Sequence, residues 1–168
     1  PFRTVSTDLI SGEQIVFSEG PLREAVMTSS AVPGAIEPRR SGKMLLSDGG
    51  IISLVPVNAA RREGADIVIA VDITRGLFSD EKLENAPEIR DRAADIAAHH
   101  LTRHELAGAD IVIRPRVGNL HWSFFSHAEN LIAEGEKAAE EKMRDIRRMI
   151  PLFKRFRAKS GTPNVMAS

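Results

Sequence analysis

Apolar and polar residues alternate in short runs at the start of the chain, and this pattern predicts a β-hairpin. Residues 2–8 and 14–17 are rich in β-branched and aromatic side chains, which favour strands. Residues 10–13 join the two runs and place Gly12 where a hairpin turn needs it.

From Pro21 the apolar spacing changes to that of a helix. Apolar residues recur at i, i+3 and i+4 from Leu22 onward, which places them on one helical face. Proline suits the first helical position, so we expect the helix to begin at Pro21. Pro33 and Gly34 are expected to end it.

The phrase Gly-Ala-Asp-Ile-Val-Ile occurs twice, beginning at Gly64 and at Gly108. Each copy combines a glycine that ends a helix with a nearly continuous apolar run, the pattern of a strand buried on both faces of a parallel sheet. Residues 58–63 form the first such helix and residues 66–73 the first such strand. Residues 87–106 form an amphipathic helix between the copies. Its apolar stripe consists of Ile89, Ala93, Ile96, Ala97 and Leu101.

The last third of the chain predicts a loop at residues 114–130 and a long helix at about residues 128–148. Pro151 is expected to interrupt that helix, and residues 160–168 to form a frayed tail. Helices that alternate with buried strands indicate an α/β layered fold with a largely parallel sheet.

Composition limits the function without assigning one. With 168 residues, 42% apolar and 27% charged, the chain has the size and balance of one globular domain. Basic and acidic residues number 23 each, so no overall field recruits nucleic acid. The absence of cysteine excludes disulfides, thiolate metal sites and cysteine nucleophiles. No apolar run reaches the roughly 18 residues of a membrane span.

Asp48, Gly49 and Gly50 lie between two apolar runs and have two interpretations. Asp-Gly in this setting is typical of a hairpin turn. The same residues can hold a carboxylate for chemistry, because an aspartate takes a serine proton directly only when backbone donors fix it within about 2.6–3.2 Å. The glycines would allow φ > 0 and a close approach of the backbone. Both interpretations can hold together.

Four segments carry a resemblance to a known family. They are TSSAVPGAIEP at residues 28–38, LLSDGG at 45–50, VPVNAARREGADIVIAVDI at 55–73 and ADIVIRPRVG at 109–118. Together they resemble the second half of the patatin-like phospholipase family, in its bacterial branch. Residues 5–20 look like the family's preceding segment, so the resemblance covers roughly residues 3–139 in order.

The resemblance implies a three-layer α/β/α fold with a mainly parallel sheet. Residues 1–150 would be the C-terminal portion of this hydrolase domain, and residues 151–168 a basic amphipathic end and flexible tail. It also implies a Ser-Asp dyad acyl hydrolase that forms an acyl-enzyme and needs no cofactor or metal. Asp48 matches the dyad aspartate, the general base, and Gly49 and Gly50 match its loop.

Ser29, Ser30 and Pro33 are assigned to support of the Asp48 loop. Neither serine lies in a Gly-x-Ser-x-Gly elbow. That elbow and the glycine-rich oxyanion loop, which family members carry upstream, are absent from the whole chain. We therefore expect a fragment that supplies the base, lacks the nucleophile and is inactive alone. Its partners would be a lipid or ester substrate and the missing N-terminal half of the same domain.

The segment from Lys142 to Lys159 holds eight Lys or Arg and one acid, Asp145, interleaved with apolar residues. Such a segment can lie on an anionic bilayer, or it can be a solvated terminal helix whose continuous face Pro151 limits. The alternative function is therefore a non-catalytic α/β module that binds a membrane surface or a protein partner. The expected localisation is cytoplasmic or peripheral membrane.

The histidines are assigned no chemistry. His100 and His104 have the i, i+4 spacing of a metal pair, but Gly108 replaces the second histidine of an H-E-x-x-H motif. We interpret them as part of a surface helix face and predict no metal site. His121 and Trp122 are assigned to packing.

Overall fold

The computed structural model describes residues 1–74, 76–77, 83–118 and 125–157, with the backbone alone described for residue 125 and residues 150–157. Within these residues the strands are β1 (Thr4–Asp8), β2 (Gln14–Phe17), β3 (Arg39–Ser41), β4 (Met44–Asp48), β5 (Ile69–Val71) and β6 (Ile111–Ile113). The helices are α1 (Leu22–Ser29), α2 (Val57–Arg62), α3 (Ala86–Leu106) and α4 (Ala128–Arg157). Short 3₁₀ helices span Gly49–Ile51 and Phe125–His127. The predictions for His121, Trp122 and the tail at residues 160–168 lie outside the described residues.

β1 and β2 form the predicted antiparallel hairpin. Thr4 lies opposite Phe17 and Thr7 opposite Gln14. Gly12 in the turn has a positive φ of 76°, a conformation that glycine adopts without strain. The alternating pattern at the start of the chain is thus confirmed as a hairpin.

Asp8, the last residue of β1, joins this hairpin to β4. Its carboxylate accepts hydrogen bonds from the Ser11 hydroxyl at 2.7 Å, from Leu45 N at 2.9 Å and from Ile10 N at 3.1 Å. These donors favour the charged form and hold the pKa of Asp8 below its usual value. The buried polar end of β1 is therefore satisfied as a carboxylate.

The larger sheet has the order β2-β1-β4-β3 and all its pairs are antiparallel. Short turns join β1 to β2 and β3 to β4, and a short turn connects only antiparallel neighbours. The prediction of a mainly parallel sheet is therefore wrong for these four strands. The α/β class is confirmed, and the expected parallel pairing is present between β5 and β6.

Helices pack on both faces of the parallel pair. Ala70 of β5 and Leu106 of α3 belong to one core cluster with Val57 of α2. On the other face Ile111 and Ile113 of β6 pack against α4. An α/β/α layering thus surrounds this pair. The α4 residues in that contact are Ala138, Ala139, Ile146 and Met149.

β5 is shorter and more exposed than predicted. The strand spans Ile69–Val71 instead of residues 66–73, and only Ala70 is buried. Ile69 and Val71 remain 37% and 52% exposed, because α4 covers β6 on that face and leaves β5 uncovered. Burial on both faces is therefore wrong for β5 within the described residues.

Gly64 ends α2 as predicted. It has a φ of 91°, and Ala65 N donates to the Ala60 carbonyl at 3.1 Å. This hydrogen-bond pattern is the Schellman ending, in which a glycine reverses the chain and satisfies the last helical carbonyls.

Arg61 explains why the two Gly-Ala-Asp segments lie together. Its guanidinium donates to the carbonyls of Ala65 at 3.2 Å and Asp66 at 2.8 Å. It also donates to the Gly108 carbonyl at 3.1 Å and to the Asp110 carboxylate at 2.5 Å. One side chain therefore joins the start of β5 to the start of β6.

The other helices depart from prediction in particular ways. Pro21 immediately precedes α1 instead of opening it. The predicted stripe of α3 is largely exposed, with Ile89 at 54% and Ile96 at 41%, because α3 packs through its C-terminal turns, where Leu106 is buried. α4 continues through Pro151, since a proline removes one of its many hydrogen bonds without ending a helix of 30 residues. α4 also crosses the domain boundary that we predict after residue 150. That boundary stays a prediction.

Candidate active site

Asp48 is held at the end of β4 by both its main chain and its side chain. Its carboxylate Oδ1 accepts a hydrogen bond from Gly50 N at 2.6 Å. Its own N–H donates to the Ala31 carbonyl at 3.1 Å, and its carbonyl accepts from the Thr7 hydroxyl at 2.9 Å. The second carboxylate oxygen, Oδ2, accepts no hydrogen bond from any described residue. Asp48 therefore presents one fixed oxygen and one open oxygen.

Gly49 is required by a close approach to β1. A Cβ at this position would lie 2.3 Å from the Val5 carbonyl oxygen, a distance that excludes any side chain. A Cβ at Gly50 would lie 3.0 Å from both Asp48 Oδ1 and Leu54 Cδ2. The predicted close approach is present, but the predicted positive φ is wrong, because neither glycine has one.

The hairpin interpretation of Asp-Gly-Gly is also wrong. β4 ends at Asp48 and the chain enters a 3₁₀ helix at Gly49, whose first turn the Asp48 side chain caps. The tight turn in this region lies one strand earlier, where Gly42 with a φ of 59° joins β3 to β4. Side-chain capping thus directs the chain onward to α2.

The chain beyond the 3₁₀ helix is anchored to α3. Ser53 N donates to the Gly49 carbonyl at 2.9 Å, and the Ser53 hydroxyl donates to the Glu105 carboxylate at 2.5 Å. Both side chains are buried. The Asp48 loop is therefore supported from β1 on one side and from α3 on the other.

The structure places Ser29, Ser30 and Pro33 near this loop, and each has different contacts. The Ser29 hydroxyl donates to the Val5 carbonyl of β1 at 2.6 Å. The Ser30 hydroxyl is exposed and donates back to the Val26 carbonyl at 2.8 Å. Pro33 is exposed in the following turn. Neither serine hydroxyl bonds to Asp48, so the structure places them as neighbours of Asp48.

Ala31 connects this segment to β4 more directly than the serines do. Its carbonyl accepts from Asp48 N and, at 2.7 Å, from the Ser47 hydroxyl. The sequence does not predict this contact, because every residue type has a main-chain carbonyl.

Ser6 is the neighbour of Asp48 that the sequence did not reveal. It lies directly opposite Asp48 in the β1–β4 pairing, so the two side chains share one face with Cβ atoms about 4.5–5.5 Å apart. Ser6 is 0% exposed, and no described residue forms a hydrogen bond with its hydroxyl. Only the strand register identifies this serine.

Two kinds of feature are absent from the described residues: a cluster of metal ligands and a helix able to span a membrane. Among the described residues no group of three or more His, Cys, Asp or Glu is placed to hold a metal ion, and His100 and His104 are exposed on α3. In the described part of the chain, no helix combines the length and the apolar character needed to cross a bilayer.

Comparison with known proteins gives the relationship. No family model matches the chain. An uncharacterized NTE family protein of Mycobacterium bovis is 30% identical over 162 residues, which cover 82% of this chain and 28% of that protein. A second such protein, of Mycobacterium tuberculosis, is 34% identical over 103 residues, covering 61% and 26%. Patatin-like phospholipase domain-containing protein 7 of Rattus norvegicus is 35% identical over 75 residues, covering 44% and 6%.

The chain is related to the patatin-like phospholipases. The family predicted from the four segments is thereby confirmed. The chain spans about a quarter of the length of the mycobacterial relatives that it matches. The roles of Asp48, its glycines and the neighbouring serines stay predictions.

Proposed function

We propose that this chain supplies the general base of a patatin-like lipid acyl ester hydrolase. Asp48 is that base, and the nucleophilic serine and the oxyanion donors lie on a segment outside these 168 residues. The observation that carries the proposal is the asymmetric carboxylate of Asp48. Gly50 N orients Oδ1 at 2.6 Å, and Oδ2 is left open to accept a proton.

The chemistry needs only a proton carrier beside a serine. The serine Oγ attacks the ester carbonyl carbon while its proton passes to Asp48, and the leaving alcohol then takes that proton as the acyl-serine forms. A water molecule next attacks the acyl-serine and gives its proton to Asp48. The proton returns to the serine Oγ as the carboxylic acid departs. The hydrogen bond from Gly50 N orients the Asp48 carboxylate for this proton transfer.

Exposed apolar residues on β5 support the proposal that the active protein contains a further segment packed against this chain. Ile69 and Val71 of β5 and the following Ile73 are exposed in a row, with Ile73 at 63%. Contiguous exposed apolar residues mark surfaces that another element covers. We propose that the N-terminal half of the same domain, carrying the serine, packs on this face of β5.

The test is Asp48→Asn in a protein that joins this chain to its nucleophile segment. Asparagine Oδ1 still accepts from Gly50 N, so the fold should persist while proton transfer is lost. We expect hydrolysis of a short-chain ester to fall about 10²- to 10⁴-fold with an unchanged melting temperature. Asp66→Asn is the matched control, because Asp66 is exposed and contributes its carbonyl to Arg61. Hydrolysis at the original rate in Asp48→Asn would contradict the proposal.

The 168-residue chain alone gives a second readout. Without a nucleophile it should neither hydrolyse esters nor form an adduct with a fluorophosphonate probe. An adduct on this chain would show that one of its own serines is the nucleophile.

A membrane-binding module is the second candidate. It is favoured by the continuity of α4 through Pro151, because an unbroken helix can present one long basic face. It is opposed by Ile146 and Met149, which pack against β6 and so are turned toward the core. Cutting the chain after Met149 should abolish binding to anionic vesicles if this candidate is correct, and unchanged binding would dismiss it.

A further inference from the structure

A cleft opens where the parallel strands β5 and β6 end. Its volume is about 280 Å³, and none of its residues belongs to the Asp48 loop. In α/β folds ligands bind outside the carboxyl ends of parallel strands. The polar residues that line the cleft are Asp72, Thr74, His99, Thr102, Arg103 and Arg114.

Thr102 carries the strongest sign that this cleft takes a ligand. The residue is 3% exposed and its Oγ1 has no hydrogen-bond partner among the residues that the structure describes, although buried hydroxyls are almost always paired. A helical threonine usually donates to the carbonyl four residues earlier, as Thr28 of α1 does to Glu24 at 2.7 Å. Thr102 of α3 makes no such bond. Its hydroxyl is therefore available to a group inside the cleft.

Asp72 already has its partners. Its carboxylate accepts from the Thr74 hydroxyl at 2.6 Å, from Thr74 N at 3.1 Å and from Arg114 Nε at 3.0 Å. Burial acts to raise the pKa of Asp72, but these bonds outweigh it and hold the pKa below its usual value. Asp72 thus stays charged and balances one guanidinium, that of Arg114.

One positive charge remains beyond this pair. Arg103 forms no ion pair with any residue that the structure describes, and the Arg114 side chain is 64% exposed, which leaves its terminal nitrogens accessible. His99 adds a ring that can donate. Two guanidiniums and an imidazole against one satisfied carboxylate make the cleft attractive to an anion.

We propose that this cleft binds the phosphate group of a phosphate ester. The Thr102 hydroxyl and the guanidiniums of Arg103 and Arg114 donate to its oxygens. A phosphate presents more acceptor oxygens than a carboxylate and pairs with guanidinium in bidentate geometry. This suits donors that come from α3 and from Arg114, the residue directly after β6. The volume is sufficient for a phosphate and a small attached group. The inference does not depend on the role of Asp48.

Calorimetric titration of the 168-residue chain with inorganic phosphate and with glycerol phosphate tests the proposal. We expect saturable binding that weakens about 10-fold in Thr102→Val and at least that much in Arg103→Gln, as loss of a hydrogen bond to a charged group predicts. Thr102→Val replaces an unpartnered hydroxyl by a methyl group, so the melting temperature should not fall. Arg90→Gln is the control, because Arg90 lies on α3 and pairs with Asp91 outside the cleft.

Two results would overturn the proposal. The first is an absence of saturable phosphate binding by the folded chain. The second is binding that Thr102→Val leaves intact, or that Arg90→Gln and Arg103→Gln weaken equally, since general charge attraction would then explain it.

Vesicle sedimentation identifies the source of the phosphate. Binding to phosphatidylcholine vesicles that contain phosphatidic acid, lost in Thr102→Val and Arg103→Gln, would assign a lipid headgroup. Binding of glycerol phosphate in solution without selective sedimentation would assign a soluble ester.

Discussion

Gly49→Ala is the substitution that tests the Asp48 loop most directly. The added Cβ would lie 2.3 Å from the Val5 carbonyl oxygen and 2.8 Å from the Val5 carbonyl carbon. Both are main-chain atoms of β1, one of the two inner strands of the larger sheet, whose five residues are all buried. No side-chain rotation can relieve this overlap, so the loop must move away from β1.

The size of the effect follows from that distance. Carbon and oxygen atoms meet at about 3.3 Å, so the backbone must separate by about 1 Å. Overpacking of this kind in a buried site destabilises by about 1–3 kcal/mol. For a chain of this length the melting temperature should fall by about 2–12 °C. Asp48 moves with the loop, so any activity that depends on its position should fall as well.

Urea denaturation followed by circular dichroism measures the effect, with Gly135→Ala as the matched control. Gly135 lies in α4, and apart from the neighbouring backbone of its own helix no described atom comes within 4 Å of its Cβ position. Alanine there should therefore stabilise by about 0.5–1 kcal/mol. The same chemical change is thus expected to have opposite signs at the two sites. A Gly49→Ala free energy of unfolding within about 0.5 kcal/mol of the wild type would refute the close approach to Val5.

Two further predictions concern Arg61 and Asp8, whose side chains connect separate elements of the fold. Arg61→Lys should lower the free energy of unfolding by roughly 1–2 kcal/mol in urea denaturation, because lysine cannot reach both Gly-Ala-Asp segments with its single ammonium group. An unchanged denaturation midpoint would contradict the role of Arg61 in joining these segments. Asp8 has a folded pKa below its ordinary value of 3.8, so its contribution is fully present above that pH and is lost as the pH falls through the lower folded value. Asp8→Asn should therefore be less stable than the wild type at neutral pH, and the gap should close in melts below about pH 4; a gap that is constant with pH would contradict the carboxylate's role.

Local sequence patterns predicted the elements that local interactions define. The hairpin at Gly12, the ending of α2 at Gly64 and the two Gly-Ala-Asp strands all depend on residues close together in sequence. The family followed from segments in a fixed order. Asp48 was selected because its Asp-Gly-Gly motif lies between segments that resemble the family, since the motif alone is also typical of a hairpin turn.

The errors arose where distant contacts decide the structure. A period of alternating residues cannot distinguish a strand in an antiparallel sheet from one in a parallel sheet, so β4 was not predicted to lie beside β1. The exposure of Ile69 and of the α3 stripe depends on which helices cover them. Pro151 was expected to end a helix on local grounds, whereas α4 is long enough to continue past it.

The candidate base shows how a short motif depends on the rest of the chain. Asp-Gly-Gly supplies one hydrogen bond, from Gly50 N to the carboxylate. Thr7 from β1 and Ala31 after α1 hold the main chain of Asp48, and these residues are 41 and 17 positions away in sequence. A peptide with the motif alone would therefore lack the fixed carboxylate. The same three contacts leave Oδ2 open, and the proposed role of Asp48 as a base depends on that open oxygen.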